Sequence, residues 1–427
     1  MLFVSLSDGR VLCERNGRGL FSPASVQKVI TTAAALEKLG PKYTFVTSVY
    51  SGQAISNGFL AGDLVIYGRG APDLDQESLV ELALSLKKKG LTKISGDIIG
   101  DSSYFRADDL GDGWTWNEAQ WYYGASASAL SYERNIVTIT ISNGKPKASS
   151  AFVDLSGEIK PVERIDAIGV KRRLGTNEVF VWGNGKNLKA RIAVDNPALF
   201  TARVFKEVLE QNGIRVEGGA RSADWTKPTG AEKAVELGSI TSVPLAEIIR
   251  TMNKDSVNLH AELILRTLGK RFGSEAPDSD PKMNKLRGDD LAGAAVVTKL
   301  LRDNGIETGQ IAIHDGSGLS RLGRMTPESI LRTIILAAKS AHSKVFTDSL
   351  PVAGKNGTLR ARLKKVAGLV IAKTGSIKYS NSLAGFAIHG NESVAFVIIC
   401  NDETNREDST ATIDAIISNI ASREVQN

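Results

Sequence analysis

Pro23-Ala24-Ser25-Val26-Gln27-Lys28-Val29, continuing through Ile30, Ala33, Ala34 and Leu36 to Gly40, is the stretch on which the reading of this chain turns. Its apolar positions recur at helical spacing, a proline opens it and a glycine stops it, so it predicts a helix starting at Pro23 with Ser25 in the first turn. Ser25 and Lys28 are three residues apart, which on a helix puts hydroxyl and ammonium on one face, about 5–6 Å apart at Cβ. There the lysine can help deprotonate the serine. The pattern Ser-x-x-Lys occurs four times, at Ser25/Lys28, Ser85/Lys88, Ser142/Lys145 and Ser279/Lys282. The last two lie in turn-like sequence and Ser85 lies at an exposed helix end. Only Ser25 begins an otherwise apolar helix, where free backbone N–H groups and the positive dipole end favour a developing oxyanion.

Upstream, Met1-Leu2-Phe3-Val4-Ser5-Leu6, Asp8-Gly9 and Val11-Leu12-Cys13 read as a β-hairpin with an Asp-Gly turn and not as an export signal. Either the protein is cytoplasmic or this is a processed or trimmed form of an exported one. Downstream of Tyr43 the pattern changes to short strands. These include Phe45–Thr47, Asn57–Leu60 and Asp63–Tyr67, with a helix over 76–89 whose end carries Lys87-Lys88-Lys89 as dipole-complementing cations. An aromatic, loop-like region over 103–135 and strands over 136–195 follow. Asn196 is placed to cap a helix over 198–212. Trp225–Glu232 reads as a linker, and helical periodicity resumes over 245–268, 290–304 and 327–341. Strands at 369–372, 383–388 and 394–399 and a helix over 410–422 close the chain. The two ends look like halves of one α/β domain and the middle like its insertion.

Two further motifs each occur once. Ser256-Val257-Asn258 lies in the helical stretch after Leu245, and Lys373-Thr374-Gly375-Ser376 ends an apolar strand. At a strand's accessible end a cation and hydroxyls can receive a carboxylate, and glycine lets a ligand approach the backbone. Ser-x-x-Lys, Ser-x-Asn and Lys-Thr-Gly in this order form a specific signature. The four histidines make no Ser-His-Asp arrangement and read as structural.

On these motifs the chain resembles the three-domain, low-molecular-mass (class C) penicillin-binding proteins, the D-alanyl-D-alanine carboxypeptidase/endopeptidases. The likeness extends to Gly62-Asp63-Leu64, Asp315-Gly316-Ser317-Gly318-Leu319-Ser320-Arg321, Leu350-Pro351-Val352-Ala353-Gly354 and Gly357-Thr358-Leu359. It implies an α/β fold: a serine β-lactamase/transpeptidase-like domain, an antiparallel sheet flanked by helices, with two inserted, strand-rich smaller domains. The implied division is 1–43 with 238–427 for the catalytic domain, 44–69 with 151–237 for the second, and 70–150 for a third nested in it. It further implies a catalytic set of Ser25, Lys28, Ser256, Asn258 and Lys373, and substrate contacts from Thr374, Gly375, Ser376 and, from the Trp-rich loop, Trp116 and Glu118. No cofactor or metal is implied. The partners are peptidoglycan stem peptides as substrate and β-lactam antibiotics as covalent inhibitors, in the periplasm or another extracytoplasmic compartment. A serine β-lactamase and a non-catalytic cell-wall-binding scaffold are the rivals.

Composition sets the outer limits. The chain has 427 residues, enough for about three domains at roughly 150 residues each. It carries 42% hydrophobic and 23% charged residues, an ordinary globular composition. The net charge of +6 arises from interleaved signs and weakly favours anionic partners, while the densest basic run, Lys87-Lys88-Lys89, has no aromatic interleaving, which argues against a nucleic-acid patch there. No apolar run is long enough to span a membrane. Cys13 and Cys400 admit one disulfide, although two buried free thiols are the expectation. Oligomeric state and the balance of carboxypeptidase and endopeptidase work stay open.

Overall fold

The computed structural model describes residues 1–157, 169–183, 187–278 and 281–421. Ser279, first residue of one Ser-x-x-Lys match, and Ser422, the expected end of the last helix, lie outside the described residues. The chain divides into two compact units, one of 1–43, 111–113 and 244–427 and one of 44–110 and 114–243.

The first unit is organised by a five-stranded antiparallel sheet, in the order Val370–Ile377, Ser380–His389, Glu392–Asn401, Leu2–Ser5, Val11–Glu14. The N-terminal hairpin thus pairs with the C-terminal strands, as expected of two halves of one domain. Along Glu392–Asn401 six consecutive residues, Val394–Ile399, are buried. Half-buried sheets alternate, and continuous burial means that both faces are covered. Val394, Phe396 and Ile398 share a core with Ile413 and Ile417 of the helix Arg406–Ile420. The helix Pro327–Lys339 also packs on this strand. Phe3 stacks on Phe396 with ring centroids 5.9 Å apart, joining the two ends of the chain in the core.

Helix Lys28–Lys38 is buried from Lys28 to Leu36 and packs among the helices Leu245–Lys254, Asn258–Phe272, Asp289–Asp303 and Pro327–Lys339. Two local expectations change. The residues before Lys28 form a 3-10 turn, Ala24–Gln27, entered through Ala24 at φ 48°. The helix expected over 245–268 is two helices, because Ser256 sits at φ 58°, a left-handed conformation that a continuing helix cannot accommodate.

The second unit is built on a five-stranded mixed sheet, Ala220–Ala223, Ile98–Asp101, Leu64–Gly68, Val46–Ser51 and Val235–Thr241, with the helices Gln76–Lys88 and Pro197–Gln211. Asn196 caps the second helix by accepting from the Leu199 N–H at 3.0 Å. Three three-stranded sheets accompany it, Leu188–Ala193 with Ile136–Ser142 and Lys145–Ala148, Asp154–Gly157 with Glu178–Trp182 and Gly169–Arg172, and the short Arg215–Val216 with Lys93–Ile94 and Phe59–Leu60. A division of the insert at 70 and 150 cuts across these pairings. Ile98–Asp101 pairs in parallel with Leu64–Gly68, and Ile136–Ser142 pairs with Leu188–Ala193. Parallel neighbours need a long crossover, so the helix 76–88 belongs with the first sheet. Val235–Thr241 is a strand that the sequence reading missed.

Cys13 and Cys400 are free and half-buried rather than buried. Burial raises the Cys400 thiol. Among the described residues no helix is long and apolar enough to cross a membrane. Phe396→Ala, which empties the junction of the two chain ends, should lower the stability of the first unit by about 3–5 kcal/mol in urea unfolding. A loss below about 1 kcal/mol would show that the Phe3–Phe396 core does not hold the halves together.

Candidate active site

The 3-10 turn places Ser25 and Lys28 closer than an α-helix would, because side chains three apart eclipse when there are three residues per turn. Lys28 Nζ donates to Ser25 Oγ at 2.9 Å, to Asn258 Oδ1 at 2.6 Å and to the Ser317 carbonyl at 2.9 Å. Its side chain has no solvent exposure, whereas Ser25 is half-buried and reachable. An ammonium has three protons, and all three are used. Burial drives its pKa down from 10.5 to about 7, against the opposing pull of the Asp315 carboxylate. When that proton leaves, the amine's lone pair faces the Ser25 hydroxyl and can accept from it.

The break after Lys254 gives the second motif its geometry. Ser256 stands in the turn between two helices, and Asn258 opens the helix Asn258–Phe272. Lys373 Nζ, also without exposure, donates to Ser256 Oγ at 2.9 Å and to the Thr374 carbonyl at 2.8 Å. Burial, reinforced by the neighbouring Lys28, depresses its pKa strongly.

Lys373–Ser376 does not end its strand, as the sequence suggested, but lies inside Val370–Ile377, the edge strand of the sheet. Ala372 donates its N–H to the Pro351 carbonyl and Val370 accepts from the Ala353 N–H, so even-numbered residues point their backbone groups away from the sheet. The two-residue alternation carries the Thr374 and Ser376 backbone groups to the same open edge. A Cβ on Gly375 would lie 2.8 Å from the Pro23 carbonyl oxygen and 3.0 Å from Ser25 N, so only glycine lets this strand close on the serine turn. Thr374 Oγ1 lies 2.7 Å from Thr358 Oγ1, and Ser376 Oγ donates to Asn381 Oδ1 at 2.7 Å.

A layer that the sequence reading left without a role supports these groups. Asp315 is fully buried and accepts from the Ser317 hydroxyl at 2.5 Å and from the Gly318 and Leu319 N–H groups, both at 3.0 Å. This nest aims the Ser317 carbonyl at Lys28. Gly318, at φ 77°, fits under Ala24, where a Cβ would meet the Ala24 carbonyl oxygen at 1.9 Å. Beneath, Glu262 accepts from the Gly316 N–H at 2.9 Å and pairs with Arg266 at 3.1 Å. Burial, against the Arg266 charge, lifts the Glu262 carboxyl to about 7. The signal that could have found this layer is one of spacing: Glu262 and Arg266 stand four apart on a helix that is buried from Asn258 to Gly269.

The motif residues Ser25, Lys28, Ser256, Asn258, Lys373, Thr374, Gly375 and Ser376 therefore converge in the first unit. Trp116 and Glu118 belong to the second unit, where Trp116 is 68% exposed and Glu118 accepts from the Thr115 hydroxyl at 2.7 Å. The other Ser-x-x-Lys serines differ from Ser25 locally: Ser85 donates to the Leu82 carbonyl at 2.7 Å, and Ser142 ends a strand. Of the histidines, His260 is buried, His314 meets Asp112 at 2.6 Å and His389 meets the Ile420 carbonyl at 2.7 Å.

An accessible serine with a buried lysine on one turn, a second serine–lysine pair and an open strand edge beside them define a serine acyl-transfer enzyme of the penicillin-binding class. The chain belongs to the D-Ala-D-Ala carboxypeptidase 3 (S13) family, which it matches over residues 1–422. It is 29% identical to the D-alanyl-D-alanine carboxypeptidase of an Actinomadura species, over 94% of this chain and 77% of that protein. It is 28% identical to the D-alanyl-D-alanine carboxypeptidase DacB of Haemophilus influenzae, over 93% and 84%. The crystal structure of penicillin binding protein 4 from Haemophilus influenzae superposes with a TM-score of 0.83 at 27% identity, covering 98% of this chain and 94% of that one. A second structure of that protein, complexed with a β-lactam, gives 0.77. The chain is a serine-type carboxypeptidase of the penicillin-binding group.

The Lys28 titration also bears on stability. An unfolded lysine keeps its proton to about 10.5, whereas Lys28 in the fold gives it up near 7. Between those values the unfolded chain binds the extra proton, so this group makes stability rise with pH. Lys28→Met removes that dependence. Its thermal midpoint relative to the parent should be most favourable below pH 7 and least favourable near pH 10. A difference independent of pH would mean that Lys28 stays charged in the fold.

Proposed function

We propose that Ser25 is the acylated nucleophile and Lys28 the base that takes its proton, and that peptidoglycan stem peptides ending in D-Ala-D-Ala are the substrate. The observation that carries this reading is the contact of Lys28 Nζ with Ser25 Oγ at 2.9 Å in a setting that lowers the lysine to about 7. A base whose pKa lies near the working pH is both available and strong enough to act. Ser25 attacks the scissile carbonyl. The N–H groups of Ser25 and Ser376 stabilise the oxyanion, each such donor contributing about 3 kcal/mol. Ser256 with Lys373 hands the proton to the departing D-alanine, and Asn258 orients Lys28 and the substrate amide. The hydroxyl of Thr374 and, once it gives up its bond to Asn381 Oδ1, that of Ser376 hold the terminal carboxylate in the field of Lys373. Water then releases the acyl group.

A β-lactam forms the same ester to Ser25 as its ring C–N bond breaks; the amine takes the proton but stays tethered to the acyl group, so nothing departs and the adduct persists. By the resemblance, Trp116 and Glu118 are proposed as further substrate contacts. Such a substrate places the enzyme outside the cytoplasm, in a periplasm or its equivalent, as the resemblance implies.

Incubation with a labelled penicillin should add one adduct by intact mass, and peptide mapping should find it on Ser25. D-alanine should be released from D-Ala-D-Ala peptides, and Ser25→Ala should abolish both. An adduct on Ser256 or Ser317 would overturn the assignment, and rapid turnover of the penicillin would indicate a β-lactamase. The acidic limb of kcat/KM should lie near pH 7, where Lys28 loses its proton. Asp315→Asn removes the carboxylate that favours the ammonium and should move that limb to lower pH. A limb that stays in place in the folded variant would take Lys28 out of the base role.

A further inference from the structure

We infer that Thr358 is a positioning residue that turns the Thr374 hydroxyl toward the substrate's terminal carboxylate. The inference deepens the proposed function and rests on its reading of Thr374 as a carboxylate donor. A threonine hydroxyl has one proton and two lone pairs, and its proton rotates to the nearest acceptor. Thr358 Oγ1 and Thr374 Oγ1 lie 2.7 Å apart, so one donates to the other. An anion bound by Thr374 needs that residue's proton. Thr358 must then be the donor of the pair, its proton on a Thr374 lone pair, leaving the Thr374 O–H directed outward.

The backbone around Thr358 is fixed on two sides, which a chance surface contact would not require. Thr358 sits in the single 3-10 turn Gly357–Leu359, whose Leu359 is fully buried. Gly357 takes φ 59°, and a Cβ there would lie 2.9 Å from the Lys254 carbonyl oxygen, so the turn rests on the last residue of the helix that precedes Ser256. Lys254 Nζ donates to the Leu350 carbonyl and, at 2.9 Å, to Asn356 Oδ1, which also accepts from the Val352 N–H at 3.0 Å. On the other side, Ala372 donates to the Pro351 carbonyl and Ala353 donates to the Val370 carbonyl, tying the same segment to the strand that carries Thr374. The Thr358 turn is thus held on one side to the helix that ends at Lys254 and on the other, through Pro351 and Ala353, to the strand that carries Thr374. Thr358 itself is exposed, so its hydroxyl can be changed without opening the core.

The test compares kcat and KM for a peptide ending in D-Ala-D-Ala with a free carboxylate and for its C-terminal amide. Thr358→Val should raise KM for the acid about fivefold, the range of one neutral hydrogen bond, with kcat nearly unchanged and the amide little affected. Thr358→Ser, which keeps the hydroxyl, should restore the parent values. Thr374→Val should show the same preference for damage to the acid, at least as large, and the double variant should be no worse than Thr374→Val alone. If Thr374→Val spares the amide but Thr358→Val affects acid and amide alike, or neither, Thr358 has no positioning role while the carboxylate site stands. If Thr374→Val itself fails to distinguish acid from amide, the carboxylate reading falls and this inference with it. Thermal midpoints confirm folding, and Thr358→Ala provides the same comparison should the valine variant not fold.

Discussion

A buried ammonium with no exposure is the constraint around which the catalytic unit is arranged. Taking such a charge out of water costs several kcal/mol unless its protons are accepted. For Lys28 the acceptors come from three separate parts of the chain, Ser25, Asn258 and Ser317. The 3-10 turn, the helix break at Ser256 and the Asp315 nest each exist in the form that brings one of those oxygens to Nζ. Even with all three in place the lysine is left easily deprotonated, so the geometry that accommodates its burial also suits it to the base role proposed for it.

The second lysine extends the same logic. Lys373 is equally buried, has Lys28 as a neighbour of like charge, and is held by Ser256 and the Thr374 carbonyl. Two buried amines facing two serines allow protons to be passed without a histidine. Because Val370–Ile377 is an edge strand, its Thr374–Ser376 stretch turns backbone groups outward, where an extended peptide can add to them, although the Thr374 carbonyl already accepts from Lys373. Edge strands are ordinarily guarded against pairing. Here the edge is kept open beside the reactive serine, and Gly375 sets how closely the two approach.

Below the lysines lies a carboxylate layer, Asp315 with Glu262 and Arg266, in which every charge is buried. Glu262 is raised to about 7 by that burial even with Arg266 beside it. The layer joins the helix Asn258–Phe272 to the Asp315–Ser320 loop, and so joins the second motif to the carbonyl that holds Lys28. Removing a single member would leave an uncompensated buried charge, a larger loss than the pair itself contributes.

The class of fold, and the three motifs from which the reactive residues are proposed, were legible in the sequence by itself. Ser-x-x-Lys, Ser-x-Asn and Lys-Thr-Gly are short-range patterns in which the order and the residue types already state the chemistry, and the helical and alternating apolar periods are properties of single elements. The sequence read the two ends of the chain as halves of one α/β domain, and the pairing of Leu2–Ser5 with Glu392–Asn401 is what the fold adds. Only the tertiary structure decided that Ser256 breaks its helix, since Asn253–Asn258 reads as continuous helix until packing imposes φ 58° at Ser256. It also decided that Lys373–Ser376 is an interior stretch of an edge strand, because edge or centre depends on which strands are neighbours. The partition of the insert was likewise hidden, as parallel pairing of Ile98–Asp101 with Leu64–Gly68 joins residues more than thirty positions apart. The contact of the Ser317 carbonyl with Lys28 was out of reach of the sequence for the same reason: the two residues are far apart in the chain, and only folding brings them together.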